Sequence, residues 1–404
     1  MRRKYTFIAL LFLSVQFAAA QFTLEGEFRP RTELLGNGQS RTAFEGGPEA
    51  FVQTSVRAAL NAKYVTESYT FYTSFQEVFL FGDRQQIAAS GNGNFRVQEA
   101  WTDLKLADTW SLKLGRQPLS YDDQRILGGL GWAQQARTHD VAVIKHKSKG
   151  FSIDGGYSVN TIGDNIFDNA ALFTYRNLGF VHANINNSRS SLSALLLNAT
   201  FQDGGEKQNL FTGGLHGKTK FGDLGLAANF YIQSGQRANG AVVGGNLLYS
   251  LDANYKVSDK FTILAGFESI GGTDEDSAAF FPLYGTNHKF NGLADRFFVG
   301  NHANAGGLID LNIGATVGLG KGWGLTAKFH SFSEESAVVT GDDTESLGSE
   351  LDFVVSKGFK GFKLVAGYSQ FFEPDHVIDA KSSQNWAWAM LIVKPKFLNT
   401  AKAE

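Results

Sequence analysis

Three arginines, Arg116, Arg125 and Arg137, share a short stretch with Asp122, Asp123, Asp140 and the single indole of Trp132. A guanidinium is a planar, permanently charged fork that pairs with a carboxylate through two parallel hydrogen bonds. Residues of these types at this density do one of two things. They order a passing anion, or they pair with the local aspartates and pin a loop. The stretch, Leu112 to His146, does not read as an ordinary loop. A solvated loop has no use for Ile126, Leu127, Leu130 and Trp132, and a dry one does not admit so many charges unless they are paired. A loop folded into a wet, walled space accommodates both kinds.

Elsewhere the chemistry is sparse. No Ser/His/Asp set can be assembled, so no enzyme activity is expected. The eight histidines lack metal-ligand spacing and are expected on the surface or along a pore. Asp274-Glu275-Asp276 and Asp342-Asp343 fall in loops without a calcium-loop pattern and read as solvated charge. The run Gly213–Thr219 resembles a phosphate loop but has Thr212 where the first glycine belongs, and Gly318–Gly324 joins two strands. No cofactor, metal or nucleic-acid partner is implied.

What must position the arginines is a wall. The chain has 404 residues, 46 Gly, 35 Phe, 6 Pro and no Cys. Many aromatics and glycines with few prolines favour β-structure. Its mean hydropathy is only −0.16, because the apolar signal sits in alternate residues. Ile309 to Leu319 puts Ile309, Leu311, Ile313, Ala315, Val317 and Leu319 on one face, opposite Asp310, Asn312, Gly314, Thr316 and Gly318. Leu247–Val257 and Val52–Tyr64 alternate in the same way. Strands of ten or more residues suit a tilted membrane crossing better than a soluble sheet.

The connections alternate as well. Short turns are expected at Thr66–Ser68, Ala107–Thr109, Ser148–Gly150, Asn187–Ser190, Phe221–Asp223, Ser258–Lys260, Gly320–Gly322 and Gly358–Gly361. Longer loops separate them, including Pro118–Ala136, Gln202–Gln208 and Gly272–Ala305. Tight periplasmic turns and long outer loops define an outer-membrane barrel. The expectation is an all-β, antiparallel up-and-down transmembrane barrel of about 18 strands. It takes Ala171–Ile185 as one strand and Asn385–Phe397 as the last, with both termini periplasmic.

At the start, Arg2, Arg3 and Lys4 precede an apolar run from Tyr5 to Phe17 and then Ala18–Ala20. This predicts a secretory leader, residues 1–20, cleaved to leave residues 21–404 as one barrel domain in the outer membrane of a Gram-negative bacterium. Its removal takes the net charge from −2 to −5, since the leader holds three basic and no acidic residues. No globular plug precedes the first strand, which argues against an energised transporter. In such a barrel the polar face lines the lumen. Glu25, Glu27, Arg29 and Arg31 come from the first strand, Arg57 and Lys63 from the second, and Glu99, Asp103 and Lys113 from the fourth and fifth. This wall is either a solvated, salt-bridged surface or a charged track for an ionic solute.

The central stretch also resembles a family. Gly115-Arg116-Gln117, Tyr121-Asp-Asp-Gln-Arg125, Leu127-Gly128, Trp132 and Arg137-Thr-His-Asp140, with Gln98-Glu-Ala-Trp-Thr-Asp-Leu104 upstream, look like the signature of the bacterial alginate-export porins. The resemblance implies an 18-stranded outer-membrane barrel whose basic constriction passes an anionic polysaccharide or sugar acid. It further implies outer-membrane lipid around the wall and periplasmic secretion partners. The constriction would be built from Arg116, Asp122, Asp123, Arg125, Trp132, Arg137 and Asp140, with Arg29, Arg57, Lys63, Glu99, Asp103 and Lys113 on the wall. The other readings are a general or small-solute uptake porin and a non-conducting barrel, either an outer-membrane enzyme or an adhesin.

Overall fold

The alternating segments pair each with the next and then close on the first. The computed structural model describes residues 20–35, 51–83, 95–160, 175–203, 206–297, 306–336, 345–374 and 384–400. Residues 1–19 of the expected leader and the Asp342-Asp343 pair lie outside these. The wall begins with β1 (Gln21–Leu35), β2 (Phe51–Val65), β3 (Tyr69–Leu80), β4 (Arg96–Lys105), β5 (Trp110–Gln117), β6 (His139–Ser148), β7 (Phe151–Val159), β8 (Asn177–Asn186), β9 (Ser190–Asp203) and β10 (Glu206–Phe221). It continues through β11 (Leu224–Gln236), β12 (Val242–Ser258), β13 (Phe261–Ile270), β14 (Leu308–Gly320), β15 (Trp323–Ser333), β16 (Ser346–Gly358), β17 (Phe362–Phe372), β18 (Gln384–Val393) and β19 (Lys396–Asn399). Every neighbour is antiparallel, and β1 pairs with β2 on one side and with β18 and β19 on the other. Since β18 and β19 share one flank of β1, the result is a closed barrel of 18 staves. Closure leaves no unpaired edge, which is what a lipid environment demands of a sheet.

The two faces of the wall are inverted relative to a soluble protein. Leu114, Leu196, Leu251 and Ile313 point outward and are about half exposed, at 50%, 54%, 51% and 59%. On the inward face, Glu350, Asp310, Ser369 and Gln233 are buried to 2% exposure or less. An apolar exterior around a polar interior is stable only where lipid replaces water outside. All eight short turns fall where the alternation places them.

Three expectations need correction. The last crossing does not run unbroken to Phe397: it stops at Val393, and β19 resumes after Lys394-Pro395. Pro395 has no N–H for the ladder, so only its carbonyl bonds there, accepting from Gly26 N at 2.9 Å. The crossing expected from Ala171 is a single strand, as the turn parity requires, but its strand begins at Asn177. The connection Gln202–Gln208 is not a long loop. The ladder persists to Asp203 opposite Glu206, so the β9–β10 hairpin simply stands taller than its neighbours.

The wall is therefore uneven. β5 has 8 residues and β12 has 17. At about 3.3 Å per residue and a tilt near 40°, these stand roughly 20 Å and 43 Å tall. Two connections fill the interior behind this wall: L3 (118–138), which leaves at the low side, and the described part of L7 (271–297 and 306–307).

Candidate functional site

L3 crosses the lumen because both its apolar and its charged residues find partners there. Leu119, Ile126 and Leu127 are buried in one apolar cluster with inward residues of β8, β9 and β12, among them Leu178, Leu195, Leu197 and Leu248. L7 supplies Phe280, Phe281, Leu283 and Tyr284 to the same cluster. The two loops are stitched backbone to backbone. Gly128 N donates to Tyr284 O at 2.7 Å, Thr286 N donates to Gln124 O at 2.9 Å, and Leu127 bridges Tyr284 in parallel. Gly128 is needed for this approach: a Cβ there would run into the Thr286 hydroxyl and sit 2.9 Å from its backbone N. Asp122, Gln124, Leu130 and Ala136 all have positive φ, between 48° and 71°. Four non-glycine residues in the left-handed region of one loop mark a chain held by its contacts.

Those contacts use most of the arginines. Arg125 is 1% exposed, ion-paired to Glu268 of β13 and hydrogen-bonded to Asn291 of L7 at 3.0 Å, with its guanidinium over the Phe290 ring. The far end of L3 is gripped by the first two strands. Arg29 donates to the carbonyls of Gly131 and Ala133 at 2.7 and 3.1 Å, and Arg57 donates to those of Gln134 and Ala133 at 2.6 and 2.5 Å. Arg31 donates to Trp132 O at 3.0 Å and also lies over its ring. Glu27, 3.7 Å from Arg29 and 3.6 Å from Arg57, balances part of that charge. Trp132 stacks on His288 of L7 at 4.7 Å and packs edge-on against Trp388 at 4.6 Å.

The aspartates of the loop tie it to the opposite wall. Asp122 accepts from Ser193 at 2.5 Å and lies 3.0 Å from His182 Nε2. Burial alone would raise its carboxyl, but the bonds to His182 and Ser193 prevail and hold it below the usual range. Asp123 accepts from Asn229 Nδ2 at 2.7 Å and caps Arg125 N at 3.0 Å. Arg137 donates to Gly285 O at 3.1 Å, and burial lowers its pKa to about 10.

Arg116 and Asp140 are the two expected constriction residues that the structure places elsewhere. They form a two-bonded pair, 2.8 Å for each bond, but share the outward face with Leu114 and Ile144. The physical reason is the pleat. Gln117 and His139 next to them point inward, so Arg116 and Asp140 cannot. The histidines also depart from expectation. His182, His216 and His330 are not free pore lining but lie buried against Asp122, Asp123 and Asp310.

Below the loops, the inward face of β2–β6 keeps its own charges. Lys63 is exposed near the periplasmic end, opposite Thr23 and Tyr72. Lys113 lies over the Trp101 ring at 3.7 Å, Glu99 accepts from Trp101 Nε1 at 3.0 Å, and Asp103 is 4.0 Å from Lys145. L7 was not singled out as part of the site, although its run Phe280-Phe281-Pro282-Leu283-Tyr284 beside Asp274–Asp276 shows the same mixture that marks L3. A second unused signal is Leu195-Leu196-Leu197 in β9, where both faces are apolar and the inward one must therefore be covered.

No family model matches the chain, and no curated sequence matches it. Solved structures do. Acinetobacter baumannii OccAB4 superposes with a TM-score of 0.68 at 12% identity, covering 94% of this chain and 99% of that one. A. baumannii OccAB1 gives 0.65 at 12% identity over 94% and 97%. Pseudomonas aeruginosa OccK1 gives 0.62 at 12% identity over 93% and 99%. These are outer-membrane porins of the Occ/OprD group, and at such identity the likeness is one of fold. The resemblance to the alginate-export porins rests on the motif residues alone.

Proposed function

We propose that this barrel is a narrow outer-membrane channel for small hydrophilic solutes, of the uptake-porin kind, and not an exporter of a long polyanion. One observation carries the reading: L3 and L7 together cross the lumen and are stitched to each other and to the wall. A threading polymer needs a continuous cationic track. Here Arg29, Arg31, Arg57 and Arg125 are bound to loop carbonyls or to a buried carboxylate and are not presented to a solute. The charges left on the wall are of both signs, exposed Lys63 and half-buried Lys113 with half-buried Glu99 and Asp103, which suits short polar solutes more than a polyuronate. The likeness to the Occ-type porins supports the same reading at the level of architecture. In this account the loop arginines are pins, and Lys63 and Lys113 are the cationic part of a mixed-charge passage wall.

Liposome swelling with the purified full-length protein tests this directly. Neutral monosaccharides and monomeric sugar acids are expected to enter, and oligouronates are not. Tight block of single-channel current by polyuronate, with no monosaccharide permeation, would return the protein to the exporter reading. Absence of both swelling and conductance would make it a non-conducting barrel.

A further inference from the structure

The wall has a notch where L3 begins. The last register pair between β4 and β5 is Ala100 with Arg116, after which β5 turns inward at Pro118. The upper end of β4, Arg96 to Gln98, keeps β3 on one flank and has no ladder partner in β5 on the other, where only the Arg116 side chain reaches it, donating to Val97 O at 3.3 Å. Gln98 is also the extra residue of a bulge, since Ser74 pairs with Glu99 and Phe75 with Val97. Arg137 at the returning end of L3, His139 at the start of β6 and Tyr284 of L7 close the inner side of the notch. Between them lies a cavity of about 350 Å³ at the extracellular rim, a size that suits one small ligand.

Its lining is charged and incompletely bonded. Arg96, Arg116 and Arg137 reach it, with Asp140 as the carboxylate paired to Arg116. Arg96 donates to Gln135 O and Arg137 to Gly285 O, and neither has a carboxylate partner among the described residues. Three further lining side chains each carry a buried polar atom without a partner among the described residues: Gln98 Oε1, His139 Nε2 and Tyr284 Oη. Those residues are only 5%, 5% and 1% exposed. Buried polar atoms in folded proteins are almost always paired, so three orphans around one cationic cavity mark a place built for a ligand.

We propose that this rim cavity binds a small hydroxylated oxyanion, a sugar acid or a sugar phosphate. The Arg96 and Arg137 guanidiniums and the Tyr284 hydroxyl donate to the anionic group. His139 Nε2 joins them when Nδ1 accepts from the Tyr175 hydroxyl, 3.0 Å away. Gln98 Oε1 accepts from a ligand hydroxyl, which selects a hydroxylated anion over a bare one. The same chemistry is offered by a free solute and by the phosphorylated sugar headgroup of an outer-leaflet glycolipid, since Arg116 and Asp140 open the cavity toward the outer face. Binding is read without transport, independent of whether the lumen conducts.

Isothermal titration of the full-length protein, in detergent free of lipopolysaccharide, with D-galacturonate and glucose 1-phosphate as probes is expected to give saturable binding. Arg137→Gln and Arg96→Gln should each weaken it by about tenfold or more, as for loss of a charged hydrogen-bond partner. Tyr284→Phe should weaken it several-fold at an unchanged melting temperature, because that hydroxyl bonds nothing among the described residues. Competition by added lipopolysaccharide assigns the site to headgroup phosphate, and its absence assigns the site to free solute. No saturable binding of either probe at millimolar concentration, or equal affinity in all three folded variants, overturns the site.

Discussion

Replacing Arg125 with Ala removes the centre of the latch between L3, L7 and the wall. The guanidinium is 1% exposed and bonds Glu268 and Asn291 at once. Its loss leaves the Glu268 carboxylate buried beside Asp310, with which it shares the Asn291 amide. Breaking a buried pair from one side costs about 3–5 kcal/mol. The barrel itself does not bear that cost, because its ladders close without either loop. The loops do, and the equilibrium between docked and undocked L3 should move by roughly two to nearly four powers of ten. Single-channel recording of Arg125→Ala should therefore show larger and noisier conductance, while the heat-induced shift of the barrel on electrophoresis stays at the wild-type temperature. Adding Glu268→Gln removes the orphaned charge and should recover part of the quiet, closed behaviour, with the coupling between the two substitutions measured as a double-mutant cycle. A variant with wild-type conductance and noise but altered anion selectivity would refute the pinning role and make Arg125 a selectivity element.

Other consequences are open to direct measurement. The lowered Asp122 carboxyl stabilises docked L3 fully above the ordinary aspartate pKa of about 3.9, and that contribution is lost as pH falls through the lower folded value. Channel noise should rise on acidification below about pH 4, and Asp122→Asn should lose that increment, with an unchanged pH profile counting against the latch. Gly128→Val forces the loops apart at Thr286 and should destabilise their docking by about 1–3 kcal/mol, read as faster proteolysis within L3 in the folded barrel. Lys63→Glu, in the exposed lower lumen, should shift reversal potentials in a salt gradient toward cations and leave thermal stability unchanged; no shift would place the permeation path away from β2.

Where strand residues are concerned, the sequence was nearly sufficient. Ile309–Leu319 needed only its alternation to be assigned, and the observed strand is Leu308–Gly320. Turn parity correctly kept β8 as one crossing. L3 was legible as an inward loop because Leu127 and Arg125 could not both be satisfied anywhere but in a walled interior. The roles of its arginines were not legible. Arg116 and Arg125 are nine positions apart in one loop-spanning motif, yet one faces outward and the other is sealed against Glu268. The carboxylate that decides the matter lies 143 residues away in β13.

The sequence by itself determined the barrel, because local alternation and turn length are properties of neighbouring residues. Only the tertiary structure decided what the lumen is, because that depends on which loop meets which wall. Glu268, Asn291 and Tyr284 are remote from L3 in the chain and become its partners only once 18 staves bring β13 and L7 across from β5. An arginine reads the same in sequence whether it guides an anion or holds a loop, and its nearest carbonyls and carboxylates make the difference.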